Sequence, residues 1–156
     1  MAAFSNNFEN KLIDFLLRAQ ALGVTGATAA AASGPATVFV GLFTANPTDV
    51  GGGTEVTGGT YARVAVTSSL ANWAGTQGAG STTVSSGTNG TTSNNAAITF
   101  PAPTANWGVI TGHAVFDAVT GGNLLFYGAL TAAKTVNSGD AAPVFPAGTL
   151  TLQIDD

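Results

Sequence analysis

The sequence contains one histidine, His113, the only side chain whose ordinary pKa lies near neutral pH. Its neighbours in the run from Val109 to Asp117 are mostly apolar, and they alternate as in a β-strand. A histidine that acts as a general acid or base needs a partner group within hydrogen-bonding reach. No catalytic motif contains His113, so we interpret it as a packed histidine whose ring nitrogens are hydrogen-bonded.

Motifs for other kinds of chemistry are also absent. The sequence has no Gly-x-Ser-x-Gly, no His-Glu-x-x-His and no phosphate loop ending in Gly-Lys-Ser/Thr. The run Gly51-Gly52-Gly53 does not stand between a strand and a helix, as a dinucleotide-binding loop would. With no cysteine, the chain has neither disulfide bonds nor thiolate metal ligands. We therefore predict no catalytic residue, no cofactor and no enzymatic activity.

Two pairs of residues leave a binding role to consider. Asp49 and Glu55 flank a glycine-rich loop, and Ca²⁺ prefers carboxylate and carbonyl oxygens. Their spacing does not match the EF-hand pattern, so we predict no metal site. Trp73 and Trp107 offer a different chemistry, because exposed aromatic rings can stack on sugars. For both tryptophans the alternative is a place in the hydrophobic core.

Charged residues make up only 8% of the chain, against about 25% in an average soluble protein. The net charge is −4, and the four basic residues are scattered and form no phosphate-binding patch: Lys11, Arg18, Arg63 and Lys134. No apolar run approaches the roughly 20 residues of a membrane-spanning helix, and the N-terminus does not resemble a signal peptide. We expect no nucleic-acid or membrane partner, and a surface that suits packing against other subunits.

Residues Asn6 to Leu22 show the periodicity of an amphipathic helix. Asn6 and Glu9 have the spacing of a capping box, and Gly23 suits the left-handed residue that ends many helices. Apolar side chains recur at steps of three and four residues. Five of them form the candidate interface: Phe8, Leu12, Phe15, Leu16 and Ala19. One interpretation is that this stripe packs on the chain's own sheet, and the other is that it docks on a neighbouring subunit.

Composition suggests three segments. Residues 1–24 form the helix, interpreted as a docking arm, residues 25–35 a flexible linker rich in alanine, and residues 36–156 a β domain. Within that domain, residues 68–95 are almost entirely Gly, Ser, Thr, Asn and Ala. Such a segment is expected to bury too little apolar surface to offset the entropy of ordering it. We therefore interpret it as a long surface loop.

The stretch Val109–Leu130 predicts a β-hairpin, with Ile110, Ala114 and Phe116 on the inward face of its first strand. Its second strand is apolar on both faces, which predicts a central strand covered by a second sheet and by a helix or partner chain. Further short strands are predicted at residues 36–44, 61–67, 82–85, 96–101, 134–137, 143–146 and 149–154. About eight short antiparallel strands between glycine, proline and asparagine turns indicate an all-β fold, a jelly roll or β-sandwich, with one N-terminal amphipathic helix.

Short motifs are spread over most of the chain, apart from the linker and residues 68–95. They are Glu9–Leu12, Phe39–Thr44 followed by Asn46-Pro47, Gly53–Val64, Ile98–Pro101, Asn106–Gly108, and Phe116–Ala118 followed by Gly121–Leu125. As a set, they resemble a family of small structural proteins of tailed bacteriophages and prophages. Members of this family are labelled tail-fibre protein, head-decoration protein or capsid cement protein. The resemblance implies a virion component and carries over no catalytic residue.

The first hypothesis is therefore a capsid cement or decoration protein. Its expected partners are the major capsid protein and copies of itself in a homo-oligomer. Such a protein is made in the host cytoplasm and acts on the capsid surface, where it stabilises the shell because it binds only the assembled state. A tail or tail-fibre component is the second hypothesis. A carbohydrate-binding module, with Trp73 and Trp107 as stacking residues, is the third.

Overall fold

The computed structural model describes residues 4–23 and 34–154. Within these ranges the chain forms one helix, α1 (Asn6–Arg18), and nine strands. The strands are β1 (Thr37–Ala45), β2 (Thr54–Glu55), β3 (Val64–Thr67), β4 (Thr91–Ser93), β5 (Ile98–Thr99), β6 (Gly108–Phe116), β7 (Leu124–Val136), β8 (Val144–Phe145) and β9 (Thr151–Gln153). The predicted all-β class with an N-terminal helix is confirmed, and the open antiparallel sheets are consistent with a β-sandwich.

The chain divides into two compact units. The first unit draws on residues 1–37, 67–98 and 145–156, and it includes α1, β4 and β9. The second unit draws on residues 38–66 and 99–144, and it includes β2, β6 and β7. Residues 24–33, which contain most of the predicted linker, lie outside the described residues. The division into a docking arm, a linker and a β domain therefore stays a prediction.

The second unit is built on a sheet in the order β2–β1–β6–β7, with β3 also paired to β1. Strand β6 is central, so that Ala114 lies opposite Gly41 of β1 and opposite Tyr127 of β7. The three residues predicted to point inward are buried: Ile110 is 2%, Ala114 0% and Phe116 8% exposed. The alternation in the sequence therefore predicted this strand, but His113 and Val115 on its other face are also buried, so burial does not single out one inward face.

Strand β7 is the longest of the described strands, with 13 residues, and it lies at the edge of the sheet. The prediction of a central strand is therefore wrong. Residues Leu124–Phe126 are half-buried, and Tyr127 and Ala129 are exposed. Apolar residues on both faces indicate that both faces of a strand can be covered. They do not show whether the strand is central, because its place in the sheet depends on hydrogen bonds to distant strands. The separate strand predicted at residues 134–137 is the far end of β7.

In the first unit, β4 pairs with β9 in an antiparallel ladder. Leu150 and Leu152 are buried there, as the alternation at the C-terminus predicted. The strand predicted at residues 82–85 does not form. Strands β5 and β8 make a separate two-stranded pair.

The two ends of residues 68–95 are packed, contrary to the expectation that the segment buries too little, whereas residues 77–89 are mostly exposed. Trp73 and Ala74 are fully buried, and so are polar residues such as Thr92 and Asn94. The Asn94 amide nitrogen donates to the carbonyls of Ala96 at 2.8 Å and of residue 146 at 2.9 Å, and its oxygen accepts from the backbone N–H of residue 150 at 2.9 Å. Hydrogen bonds to distant backbone thus supply the order that apolar content does not.

Both ends of α1 differ from the prediction. Ser5 caps the N-terminus, and its hydroxyl accepts from the Phe8 N–H at 3.4 Å, so the cap is one residue before Asn6. The helix ends at Arg18 because Ala19 takes the left-handed conformation, with φ 55°. Alanine is unusual at that position, which glycine normally fills, and the sequence therefore pointed to Gly23 instead.

Candidate functional site

Helix α1 buries a charged side chain against its own unit. Arg18 is 0% exposed. Its guanidinium donates to Asp14 Oδ1 at 2.5 Å, to the Trp73 carbonyl at 3.0 Å and to the Thr83 carbonyl at 2.5 Å. A buried charge is tolerated when it is paired and its remaining donors are hydrogen-bonded, and these partners supply both. Arg18 therefore fastens α1 to the segment that the sequence suggested was a loose loop.

Asp14 and Asn10 extend this network along α1. The Asp14 carboxylate accepts from the Ser85 hydroxyl at 2.5 Å and from its backbone N–H at 2.9 Å. Asn10 accepts from the Thr76 hydroxyl at 2.5 Å and donates to the Gly87 carbonyl at 2.9 Å. Sequence reasoning missed the network, because its one local signal was an acid four residues before an arginine. Its other partners lie far along the chain.

The predicted interface residues are turned away from the most buried face of α1. That face uses Ile13 and Leu17, both 0% exposed, which were outside the predicted set. The predicted residues keep accessible surface: Phe8, Leu12, Phe15 and Leu16 are half-buried, and Ala19 is exposed. An interface role for them stays a prediction.

In the second unit, Arg63 and Glu55 form a two-pronged ion pair. Arg63 Nε and Nη2 donate to the two Glu55 oxygens at 2.8 and 2.7 Å, and the guanidinium carbon lies 3.5 Å from the centre of the Phe116 ring. The Tyr61 hydroxyl donates to Glu55 at 2.9 Å and accepts from a β1 amide, and burial is the main cause of its raised pKa. A Cβ at Gly41 would lie 2.9 Å from Glu55 Oε1, so a larger residue there would displace the Glu55 carboxylate from this cluster.

This ion pair involves Glu55, one of the two carboxylates considered above as ligands for Ca²⁺. Glu55 is committed to Arg63, and Asp49 accepts a hydrogen bond from the Tyr127 hydroxyl. In the part of the chain that the structure describes, no group of three or more His, Cys, Asp or Glu side chains is placed to hold a metal ion.

His113 lies on β6, where it is 8% exposed, with Leu42 opposite on β1 and Gly128 opposite on β7. A Cβ at Gly128 would come within 3.1 Å of the imidazole Cε1, so the glycine makes space for the ring. Burial lowers the pKa of His113, which favours the neutral imidazole. The position is that of a packed histidine.

Neither tryptophan is available to stack on a sugar. Trp73 is 0% exposed and Trp107 is 4% exposed. The Trp107 ring meets the Tyr61 ring edge-on, with centroids 5.3 Å apart. The carbohydrate-stacking hypothesis for these two residues is therefore wrong, because both are core residues.

The basic side chains offer little to a charged partner. Arg18 and Arg63 are held in ion pairs, and their side chains are 0% and 8% exposed. Of the other two, Lys11 is half-buried and donates to the Gly23 carbonyl at 2.6 Å, and Lys134 is exposed. No helix in the described ranges is long and apolar enough to cross a membrane.

Comparison with known proteins identifies the family. Residues 3–153 match the family described as podophage GP4 fiber I protein gp80, whereas no curated protein matches the chain. The match spans nearly the whole sequence, including the motifs that suggested a phage structural protein. The description names a fibre and does not name capsid cement. The chain therefore belongs to the podophage GP4 fiber I protein gp80 family, a family of bacteriophage structural proteins.

Proposed function

We propose that the chain is a subunit of a fibre on a podophage virion. The observation that carries this proposal is the family match over residues 3–153, whose description names a fiber protein. Membership of the family makes the chain a virion structural protein, and the fibre is the position that we assign to it. The sequence alone favoured capsid cement first and a tail or tail-fibre component second; we now place the tail-fibre role first.

The chemistry of the described residues supports a structural role over a catalytic one. The buried His113 is paired across the sheet with a glycine that accommodates its ring. The two ion pairs found among the described residues, Arg18 with Asp14 and Arg63 with Glu55, lie within the chain's own units. An uncharged, glycine- and threonine-rich surface suits permanent packing against other subunits.

Capsid cement remains the second candidate function. It is supported by the resemblance of the motif set as a whole to a phage family in which some members are labelled head-decoration or capsid cement protein. In that role the chain binds the major capsid protein on the outer surface of the shell. In the fibre role, its partner is another protein of the virion. Both roles include copies of the chain in a homo-oligomer.

The partly exposed apolar stripe on α1 and its C-cap residue is the contact that we propose for the partner protein. Its members are Phe8, Leu12, Phe15, Leu16 and Ala19. Helix α1 is anchored by Ile13, Leu17 and Arg18, all 0% exposed, so a partner can bind the stripe while the buried face stays in place. Amphipathic helices are commonly recognised through such apolar anchors at helical spacing.

Electron microscopy of particles labelled with a gold-conjugated antibody fragment against this chain tests the position. Label on fibres around the tail is the expected result. Label distributed over the shell would contradict the fibre proposal and support capsid cement. Absence of label from intact particles, with the antibody still binding the isolated protein, would contradict both positions. Particles from a phage that lacks the gene are the matched control.

A further inference from the structure

Strand β7 exposes a pairing edge. It stands at the end of the order β2–β1–β6–β7, and no described strand pairs with its outer side. Its hydrogen-bonding groups on that side have no backbone partner in the described ranges. An edge strand with free amides and carbonyls is a template for another β-strand. A partner that binds this edge is therefore expected to be an extended segment that forms main-chain hydrogen bonds.

The first part of β7, Leu124–Ala129, lacks the usual protection of an edge. We refer to it as the β7 edge segment. It contains no charged residue and no proline, whereas natural proteins commonly place both on exposed edges. Tyr127 is 41% exposed and Ala129 is exposed as well. Leucine, phenylalanine and tyrosine favour the extended conformation that pairing needs.

Irregularities in the ladder confine the edge segment to a short length. The register with β6 shifts between Val115 and Phe116, and again between Ile110 and Gly112. At the second shift only Thr111 separates the paired residues on β6, whereas residues 130–133 separate them on β7. Such bulges bend a strand and end regular pairing. Regular pairing is therefore limited to Phe126–Ala129, the part of the segment between the two irregularities, and cannot run along the whole strand.

We propose that the β7 edge segment pairs antiparallel with the β7 edge segment of a second copy of this chain. Two identical edges related by a two-fold axis are complementary by symmetry, and the contact closes on itself. The segment itself carries no charged side chain, and its Tyr127 hydroxyl is hydrogen-bonded to the Asp49 carboxylate. The other end of the sheet is β2, only two residues long, which disfavours an open-ended β7–β2 chain of subunits. Continuous main-chain hydrogen bonding is the usual source of affinity in such strand addition.

This inference rests on the self-association proposed above and assigns a surface to it. The test is sedimentation velocity of the purified full chain over a range of concentrations. Wild type should associate reversibly, and Ala129→Lys should raise its dissociation constant about ten-fold or more, because a charged lysine on an edge strand is a common natural block to strand addition. Ala129→Gln adds similar bulk without charge and should associate nearly as wild type does. Thr135→Lys, beyond the irregularity, should also leave association unchanged.

Hydrogen exchange supplies an independent measurement. Amides of the β7 edge segment should exchange more slowly at high protein concentration in wild type and not in Ala129→Lys, while circular dichroism confirms that the variants are folded. An oligomer unaffected by Ala129→Lys would overturn the assignment of this surface and leave self-association intact. A wild-type chain that stays monomeric would overturn both. Pairing of the edge segment with a different virion protein, detected by cross-linking in particles, would also contradict the proposal.

Discussion

At the scale of single residues, the buried arginine of α1 has the largest predicted effect. Arg18 is 0% exposed and bonds to Asp14, to the Ser85 hydroxyl and to two backbone carbonyls. Removing one member of a buried ion pair leaves the other charge uncompensated, which costs about 3–5 kcal/mol. Arg18→Met should therefore lower the free energy of unfolding by about that amount in urea titrations.

Lys11 provides the matched control on the same helix. Among the residues that the structure describes, its ammonium bonds to the Gly23 carbonyl, in an exposed setting. Lys11→Met should cost less than about 1 kcal/mol, as solvent-exposed charged groups usually do. Equal losses for the two variants would mean that the charge of Arg18 is not the important feature.

His113 should make the stability depend on pH near neutrality. Burial lowers its pKa in the folded chain, whereas the unfolded histidine keeps a pKa of about 6.5. Below about pH 6.5 the unfolded state therefore binds a proton that the folded state does not, and stability falls as the pH falls. Urea midpoints at about pH 7.5 and about pH 5.5 measure this effect. In His113→Gln the fall should be smaller, and an unchanged fall would show that other groups cause it.

At the scale of elements, α1 has two apolar faces: one is buried against its own unit, and the other is the proposed contact for a partner. Leu17 is 0% exposed, and its neighbour Leu16 is half-buried. Leu17→Ala should lower the free energy of unfolding by about 2–5 kcal/mol, the usual cost of emptying a buried leucine site. Leu16→Ala should cost much less in the isolated protein but reduce the amount of chain incorporated into particles. Normal incorporation of a folded Leu16→Ala chain would contradict the proposed contact.

The sequence predicted some elements well because their burial is apolar and periodic. The alternation around Phe116 predicted β6, and the alternation of Leu150 and Leu152 predicted the last strand region. It failed where order comes from polar contacts between distant residues. Nothing local in Ser85 or Asn94 indicates that each would be buried and hydrogen-bonded to a remote part of its unit.

The candidate surfaces were only partly predictable for the same reason. Helical periodicity identified α1 and its stripe, but it did not reveal that Arg18 and Asp14 lie on the buried face. The alternation of apolar residues identified both strands of the central hairpin. The position of β7 at a sheet edge depends on which strands fail to pair with it, and a single strand's sequence carries no such information.

At the scale of the whole molecule, the chain carries few charged residues, 8% of its length. Two of its four basic side chains are in ion pairs, and the net charge is only −4. Contacts with other virion proteins should therefore be apolar and polar-uncharged. Salt screens charge contacts, with a Debye length of about 3 Å at 1 M, but it does not weaken apolar burial, and excluded salts strengthen it.

Co-sedimentation with purified particles tests the central claim that the chain is a structural part of the virion. Particles are centrifuged through gradients at low salt and at about 1 M NaCl, and the amount of this chain per particle is measured by quantitative mass spectrometry. We predict a fixed ratio of chain to major capsid protein that is the same at both salt concentrations, and release by moderate urea, which solvates apolar and peptide groups. Absence of the chain from the particle fractions would contradict a structural role in the virion, and release by salt alone would contradict uncharged attachment.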